Sequence, residues 1–164
     1  MQVIDLNYDR SKKLFAIPVM LGRMRYMSGT QFSPKYIQAI MYLDTGSNRT
    51  SIIDEEAAKL EIDASVLPRE EVGGVGGTTS LPAFEGLTIT ILDSEGNPIN
   101  IRMDKVVIFP SKIKKKIEKN NGIYTQHGTV EGKMFNLFGL DAVEKINGML
   151  VIDMANKKGH IEVP

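Results

Sequence analysis

A nearly continuous apolar run, Tyr36 to Leu43, ends abruptly at the polar tetrapeptide Asp44-Thr45-Gly46-Ser47. A short apolar run that stops at turn residues is typical of a buried β-strand. Gly46 permits a tight turn because it has no Cβ atom, and the hydroxyls of Thr45 and Ser47 are potential hydrogen-bond donors to a carboxylate. The pattern therefore predicts a strand that delivers one carboxylate into a turn. The simpler alternative is a polar turn without a chemical role.

Short β-rich runs separated by turn residues make up most of the remaining chain. Such spacing is typical of a protein built mainly from strands. The predicted strands are Val3 to Leu6, Leu14 to Leu21, Thr88 to Leu92 and Ile99 to Phe109, followed by a hairpin of Met149 to Met154 and His160 to Val163 around Ala155 to Gly159. The segment Gly22 to Lys35 contains Gly, Ser, Pro and two Arg residues, which predicts a long loop.

Three segments have helical patterns. Asp54 to Leu60 has acidic residues in its first turn, and Asp54 is a potential cap. Ser111 to Asn120 is a basic helix candidate with Ile113 and Ile117 spaced by four, and Asp141 to Asn147 is followed by Gly148 at the expected C′ position. We therefore predict one domain, residues 1–164, that is mostly β with two or three short helices.

Composition excludes several functions. The chain has 164 residues and no cysteine, so disulfides, thiolate metal sites and a cysteine nucleophile are excluded. Its 20 basic and 20 acidic residues balance, which argues against nucleic acid or an acidic membrane as a partner. His127 and His160 are isolated, so we expect no metal and no cofactor. Residues 1–13 lack the apolar core of a signal peptide, and no run approaches the ~18 apolar residues of a membrane span. We expect a soluble cytoplasmic protein.

Two other segments have a biased composition, and each has more than one functional interpretation. The basic run within residues 112–119 is most simply the solvated face of an amphipathic helix, although a patch for nucleic acid or an acidic partner is the other interpretation. The segment from Val72 to Thr79 has four glycines, Gly73, Gly74, Gly76 and Gly77. A phosphate-binding loop there lacks the lysine that a Walker loop requires.

Taken together, three segments resemble the aspartic proteases. The sequence that ends in Asp44-Thr45-Gly46-Ser47 resembles their active-site signature, and Asn136-Leu137-Phe138-Gly139-Leu140-Asp141-Ala142-Val143 resembles their second signature. The glycine-rich segment lies about thirty residues after the first signature and is similar to their flap. The resemblance extends from Leu14 to Val163. It implies that Phe138 and Gly139 brace the catalytic loop and that a flap of Gly73, Gly74, Val75, Gly76 and Gly77 covers the substrate.

The number of Asp-Thr-Gly loops indicates which group of aspartic proteases the chain resembles. Pepsin-like enzymes carry two such loops in a chain about twice as long, whereas this chain carries one. The chain therefore resembles the retropepsin-like group, whose fold is an acid-protease half-barrel. Two carboxylates then require an isologous homodimer in which Asp44 of each subunit faces its two-fold mate.

The resemblance also implies residue roles in an aspartic endopeptidase that acts on peptides or proteins. One Asp44 takes a proton from water and the other, protonated, polarises the peptide carbonyl, with no metal or cofactor. Thr45 would bond across the dimer axis, and Gly46 would let the backbones of the substrate and the loop meet. Ser47 would donate to the carboxylate, which predicts an acidic pH optimum.

A second function is open to the same fold. A dimeric module that has lost catalysis would bind peptides or partners instead. The intact Asp44-Thr45-Gly46 sequence favours the enzyme, since a binding module has less need of an acid there. The segments 22–35 and 122–133 depart from the compact retroviral pattern and leave the access to the cleft and the dimer mode open.

Overall fold

The computed structural model describes residues 1–74, 77–117 and 128–164. Within these residues the chain is mostly β, as predicted, with two short α-helices and one 3-10 turn. The strands are β1 (Gln2–Asp9), β2 (Leu14–Ser28), β3 (Gln31–Leu43), β4 (Ser51–Ile53), β5 (Arg69–Gly74), β6 (Gly77–Glu85), β7 (Thr88–Leu92), β8 (Pro98–Arg102), β9 (Lys105–Phe109), β10 (Lys112–Ile117), β11 (Gly128–Lys133), β12 (Asn136–Phe138), β13 (Met149–Asp153) and β14 (Lys158–Val163). The helices are α1 (Asp54–Lys59) and α2 (Leu140–Lys145), and the 3-10 turn is Ala64–Val66.

One large sheet contains most of the described strands. Its order is β13-β14-β1-β2-β3-β12-β4-β9-β6-β5, with β7 and β8 joined to it through β2, while β10 and β11 form a separate ribbon. Alternate residues of the long strands face a common core, as the period of two along a strand requires. The core includes Ile17, Leu21, Met41, Ile52 and Phe138, all of which are excluded from solvent.

The segment Gly22 to Lys35 is not a loop, and this prediction was wrong. β2 and β3 pair along a hairpin that turns at Gly29, whose φ is +61°. A Cβ atom at Gly22 would lie 2.5 Å from the ring of Tyr36, so the glycine allows an aromatic side chain to lie across the strand. Pairing between β2 and β3 supplies hydrogen-bond partners for their backbone N–H and C=O groups. A prediction from local residue types does not include these partners and therefore gave a loop.

Contacts with Glu61 explain why this hairpin has a defined position. Arg25 Nη1 lies 2.5 Å from Glu61 Oε2, and Lys35 Nζ lies 3.4 Å from Oε1 of the same carboxylate. Arg23 Nη1 donates to the Glu61 carbonyl at 2.9 Å. The basic residues that suggested a solvated loop therefore attach the hairpin to the chain that follows α1.

The strand from Tyr36 to Leu43 is buried only at its end. Met41, Tyr42 and Leu43 are buried, whereas exposed and half-buried residues alternate before them. On the outer face, exposed apolar side chains continue along both strands of the hairpin; these are Met20, Met24, Tyr26, Phe32, Tyr36 and Ile40. The prediction of a strand was correct. Its apolar residues, however, belong partly to an exposed apolar face and only partly to the core.

The predicted helix Ser111 to Asn120 was also wrong. Residues 112–117 form β10, which pairs antiparallel with β11 from Lys112↔Lys133 to Ile117↔Gly128. The spacing of four between Ile113 and Ile117 fits a helical period of 3.6 and equally a strand period of two. The Ser111 amide donates to Asp54 Oδ1 at 2.9 Å instead of starting a helix. The rest of this prediction, residues 118–120, lies outside the described part of the chain.

The remaining elements follow the predictions with shifted boundaries. The predicted strand Ile99 to Phe109 is two strands, β8 and β9, and the C-terminal hairpin is present as β13 and β14. α1 has the predicted position, but its N-cap is Ile53 and no side chain caps it. At the end of α2 the left-handed residue is Asn147 (φ 50°) rather than Gly148. The amides of Asn147 and Gly148 then donate to Glu144 and Val143 carbonyls, both at 2.9 Å, in a Schellman arrangement.

Candidate active site

Asp44 lies at the point where β3 leaves the sheet. Its carboxylate Oδ1 accepts a hydrogen bond from the Gly46 amide at 3.0 Å, and its carbonyl accepts one from the Ser47 amide at 3.2 Å. The Asp44 side chain is half-buried, whereas Thr45 and Gly46 are exposed. The turn therefore orients the carboxylate through its own backbone and leaves the tip of the loop open.

Strand β12 lies directly behind this loop. It runs parallel to β3, with Phe138 beside Leu43, and pairs on its other side with β4. The Asp44 amide donates to the Phe138 carbonyl at 3.1 Å, and the Leu140 amide donates to the Ser47 carbonyl at 2.9 Å. The structure thus brings the two sequence signatures together, with one backbone hydrogen bond at each end of the loop.

Gly139 is in close contact with the chain that leaves the loop. A Cβ atom at this position would lie 2.6 Å from the Arg49 carbonyl carbon and 2.7 Å from its oxygen. Both atoms belong to the backbone, so a side chain at 139 cannot be accommodated by a rotamer change. The Gly139 amide also donates to Thr50 Oγ1 at 3.2 Å. The glycine therefore lets α2 start against the Asp44 loop.

Thr50, Asp141 and Asn136 support the loop, and the sequence did not identify them. Thr50 is fully buried, and its hydroxyl and amide donate to Asp141 Oδ1 and Oδ2 at 2.6 and 3.0 Å. The buried Asn136 accepts from the Ile53 amide at 2.9 Å and donates to the Ile40 carbonyl at 3.1 Å. A signal was available for Asn136 and Asp141, because both are polar residues between apolar neighbours, whereas Thr50 lies between Arg49 and Ser51. Nothing local indicates that their partners are distant in sequence.

Ser47 does not have the predicted partner. Its hydroxyl donates to the Arg49 carbonyl at 2.8 Å and accepts from the Arg49 amide at 3.2 Å. A serine hydroxyl has one hydrogen, which is used here and is not available to Asp44. The prediction that Ser47 donates to the carboxylate was wrong, and the predicted acidic optimum loses that support.

A cleft of about 540 Å³ opens in front of the Asp44 carboxylate. Gly73 and Val72 of β5 line it together with the loop, and Val107, Phe109 and Leu137 add apolar surface. Strands β5 and β6 form the predicted hairpin, in which Gly74 pairs with Gly77. Val75 and Gly76 of the predicted flap lie outside the described residues. The structure therefore places one flap glycine and Asp44 at the same cleft.

A larger cavity, of about 670 Å³, lies on the outer side of β2, β3 and β7. Its lining includes Met20, Ile40, Leu92 and Glu56. None of the predicted catalytic or flap residues lines it, so the smaller cleft is the candidate active site.

Arg49, which lines the cleft, belongs to a network of charged residues that also includes Glu70 and Lys105. Glu70 of β5 forms ion pairs with Lys105 and with Arg49, whose Nη2 lies 3.5 Å from Glu70 Oε2. The hydrogen bond from Lys105 lowers the pKa of the Glu70 carboxyl, and the same bond raises the pKa of Lys105. The network joins the loop, the flap hairpin and β9.

A metal site was not predicted. Across residues 1–74, 77–117 and 128–164, no cluster of three or more His, Cys, Asp or Glu side chains is positioned to bind a metal ion. His160 lies 3.2 Å from Glu162, and His127 is outside the described residues. In that same part of the chain, neither helix has the length and apolar character that crossing a membrane demands.

Comparison with known proteins supports the fold through structure and not through sequence. The chain is similar to the crystal structure of a retropepsin-like aspartic protease from Rickettsia conorii, with a TM-score of 0.56 and 13% sequence identity over 97% of this chain and 89% of that one. No protein-family model and no curated protein matches the sequence. The predicted retropepsin-like fold is confirmed.

Proposed function

We propose that this chain is one subunit of a homodimeric aspartic endopeptidase and that Asp44 supplies one of its two catalytic carboxylates. One observation carries the proposal. On a retropepsin-like fold, the half-buried Asp44 lines a cleft that a glycine-containing hairpin also lines. The single Asp-Thr-Gly loop then requires a second copy of the chain.

The proposed chemistry follows from two carboxylates held close together. Two such groups resist simultaneous ionisation, so the pair holds one proton, and its apparent pKa values belong to the pair. The ionised Asp44 removes a proton from a water molecule, which attacks the peptide carbonyl. The protonated Asp44 donates to the carbonyl oxygen, and a proton then passes to the leaving amine. In each subunit the Gly46 amide orients the carboxylate by donating to it at 3.0 Å.

The surroundings suit an extended peptide. Val72, Val107, Phe109 and Leu137 offer apolar contacts along the cleft, which β5 lines together with the loop. Exposed Thr45 is available to bond with the second subunit across the two-fold axis. Closure of the β5–β6 hairpin over the peptide would exclude water from the reacting groups.

The test compares three proteins on a peptide library from acid to neutral pH. These are the wild type, Asp44→Asn, and Asp5→Asn, in which the replaced acid is exposed on β1. We expect cleavage by the wild type and by the Asp5 variant, inhibition by a pepstatin-type transition-state mimic, and at least about a hundred-fold loss in Asp44→Asn, the lower range for a lost acid-base group.

Two results would remove the proposal. The first is equal cleavage by the wild type and Asp44→Asn, which would indicate a contaminating peptidase. The second is peptide binding without cleavage by any of the three, which would identify a binding module instead. Sedimentation of the wild type with the inhibitor supplies a separate check, because a protein that stays monomeric cannot assemble the pair.

A further inference from the structure

Arg49 lies in the cleft, close to the catalytic carboxylate in both sequence and space. It leaves the same loop as Asp44, and its side chain is 50% exposed. Among the described residues that line the cleft, Arg49 is the one cation. A guanidinium group has five N–H donors in a plane and binds carboxylates through two of them at once.

Glu70, the acid with which Arg49 forms an ion pair, does not occupy all the N–H donors of the guanidinium group. The distance from Arg49 Nη2 to Glu70 Oε2 is 3.5 Å, which exceeds the usual 2.7–3.2 Å of an N–H···O hydrogen bond. Glu70 is also in closer contact with Lys105. The lowered pKa of Glu70 arises mainly from Lys105, with Arg49 the weakest contributor. Arg49 thus has a long contact with a carboxylate that Lys105 binds more closely.

The other acids in the cleft are positioned differently. Asp44 belongs to the reacting centre, and Glu71 lines the cleft from β5, where it follows Glu70 and its side chain points to the other face of the strand. A substrate carboxylate next to Glu71 would be repelled, whereas one next to Arg49 would be attracted. The surroundings of Arg49 and Glu71 therefore differ in charge, and in the proposed homodimer an acidic side chain of a bound peptide has a favourable position beside Arg49 of each subunit.

On the basis of the proposed function, we propose that Arg49 determines specificity by binding a carboxylate side chain of the substrate. The peptidase then prefers Glu or Asp at the substrate position beside Arg49. The contact is half-exposed, so the preference for Glu over Gln is expected to be about two- to five-fold, which is the range for exposed ion pairs.

The experiment uses sets of peptides that are identical except for Glu, Gln or Lys at one position on either side of the scissile bond. The measured quantity is the ratio of kcat/KM for the Glu peptide to that for the Gln peptide. Cysteic acid replaces Glu if cleavage is confined to acid pH, because its sulfonate stays ionised there. We expect a ratio above one at a position beside Arg49 on each side of the scissile bond, because the homodimer contains two Arg49 residues, and a decrease of this ratio as salt is added.

Variants separate recognition from a structural role. Arg49→Gln should bring the ratio to one, and Arg49→Glu should reverse it, so that Lys becomes the preferred residue. Arg102→Gln removes an exposed arginine of β8 that does not line the cleft, and it should keep the wild-type ratio. Loss of stability in an Arg49 variant would lower all rates but would not reverse a preference.

The outcomes are distinct. Cleavage that depends on Asp44 but shows a ratio of one at every position overturns the inference about Arg49 and leaves the proposed function intact. A ratio that Arg49→Gln does not change also overturns it. If no peptide in the set is cleaved, both the proposed function and this inference are overturned.

Discussion

The carboxylate of Asp141 accepts hydrogen bonds from both the hydroxyl and the amide of Thr50, at 2.6 and 3.0 Å, across a separation of 91 residues. Thr50 in turn accepts from the Gly139 amide. This chain of hydrogen bonds connects the strand that follows the Asp44 loop to the start of α2. The position of the loop therefore depends on the hydrogen bonds between the buried Thr50 and the half-buried Asp141.

Replacing Thr50 by Val should destabilise the fold. Val has a similar shape but leaves the buried Gly139 amide without its acceptor, which costs about 1–3 kcal/mol for a buried group, and it removes one of the two donors to Asp141 Oδ1. Urea unfolding would measure the change in the free energy of unfolding. Thr78→Val, at an exposed position of β6, is the control and should change it little. Equal effects of the two substitutions would show that the Thr50 hydrogen bonds do not contribute.

Replacing Gly139 by Ala should also destabilise the fold, for a steric reason. The new Cβ atom would lie 2.6 Å from the Arg49 carbonyl carbon, so the loop backbone must shift. Overpacking of this kind costs about 1–3 kcal/mol. Gly73→Ala is the matched control, because a Cβ atom there would have nothing within 4 Å. Thermal unfolding of both variants would measure the difference, and a Gly139→Ala variant as stable as Gly73→Ala would contradict the prediction.

The ion pair of Glu70 with Lys105 should make a pH-dependent contribution to stability. The pKa of Glu70 is lowered from its ordinary value of 4.5 and that of Lys105 is raised from 10.5. The contribution is therefore complete between these ordinary values, is lost as the pH falls through the lowered pKa of Glu70, and is lost as the pH rises through the raised pKa of Lys105.

Comparison of the wild type with Glu70→Gln by urea unfolding would check this dependence. The wild type should be the more stable at neutral pH, and the difference should shrink below pH 4.5, the ordinary pKa of the glutamate. Glu144→Gln, at an exposed position of α2, should show no such trend. A difference that grows toward acid pH would have the wrong sign and would exclude the assigned ion pair.

Loss of the Glu61 charge should loosen the outer half of the β2–β3 hairpin. Glu61 binds Arg25 and Lys35 through its carboxylate, so Glu61→Gln removes both ion pairs. Hydrogen exchange of the amides in residues 23–28 and 31–36 should become about two- to five-fold faster, as expected for exposed pairs. Glu55→Gln on α1 should leave these amides unchanged. Unchanged exchange in the Glu61 variant would show that pairing between the strands alone holds the hairpin.

Local patterns predicted the elements that depend on neighbouring residues. The apolar run before Asp44 predicted a strand and a turn, and both are present because alternation and turn chemistry act over a few residues. Patterns were less informative where another segment decides the structure. The chain from 112 to 117 is a strand because residues 128–133 pair with it, and Gly22 to Lys35 is a hairpin because Glu61 and the partner strand hold it.

The sequence by itself determined that the protein is mostly β, that one carboxylate follows an apolar strand into a turn, and that only one such loop is present. The tertiary structure alone decided how this loop is held. It inserted β12 between β3 and β4, joined Thr50 to Asp141, and directed the Ser47 hydroxyl to the Arg49 carbonyl instead of the carboxylate. The physical reason is that the type of a residue and the hydrophobic period of its segment restrict only the local backbone conformation. The partner of a hydrogen bond, in contrast, can be any group that folding brings within about 3 Å.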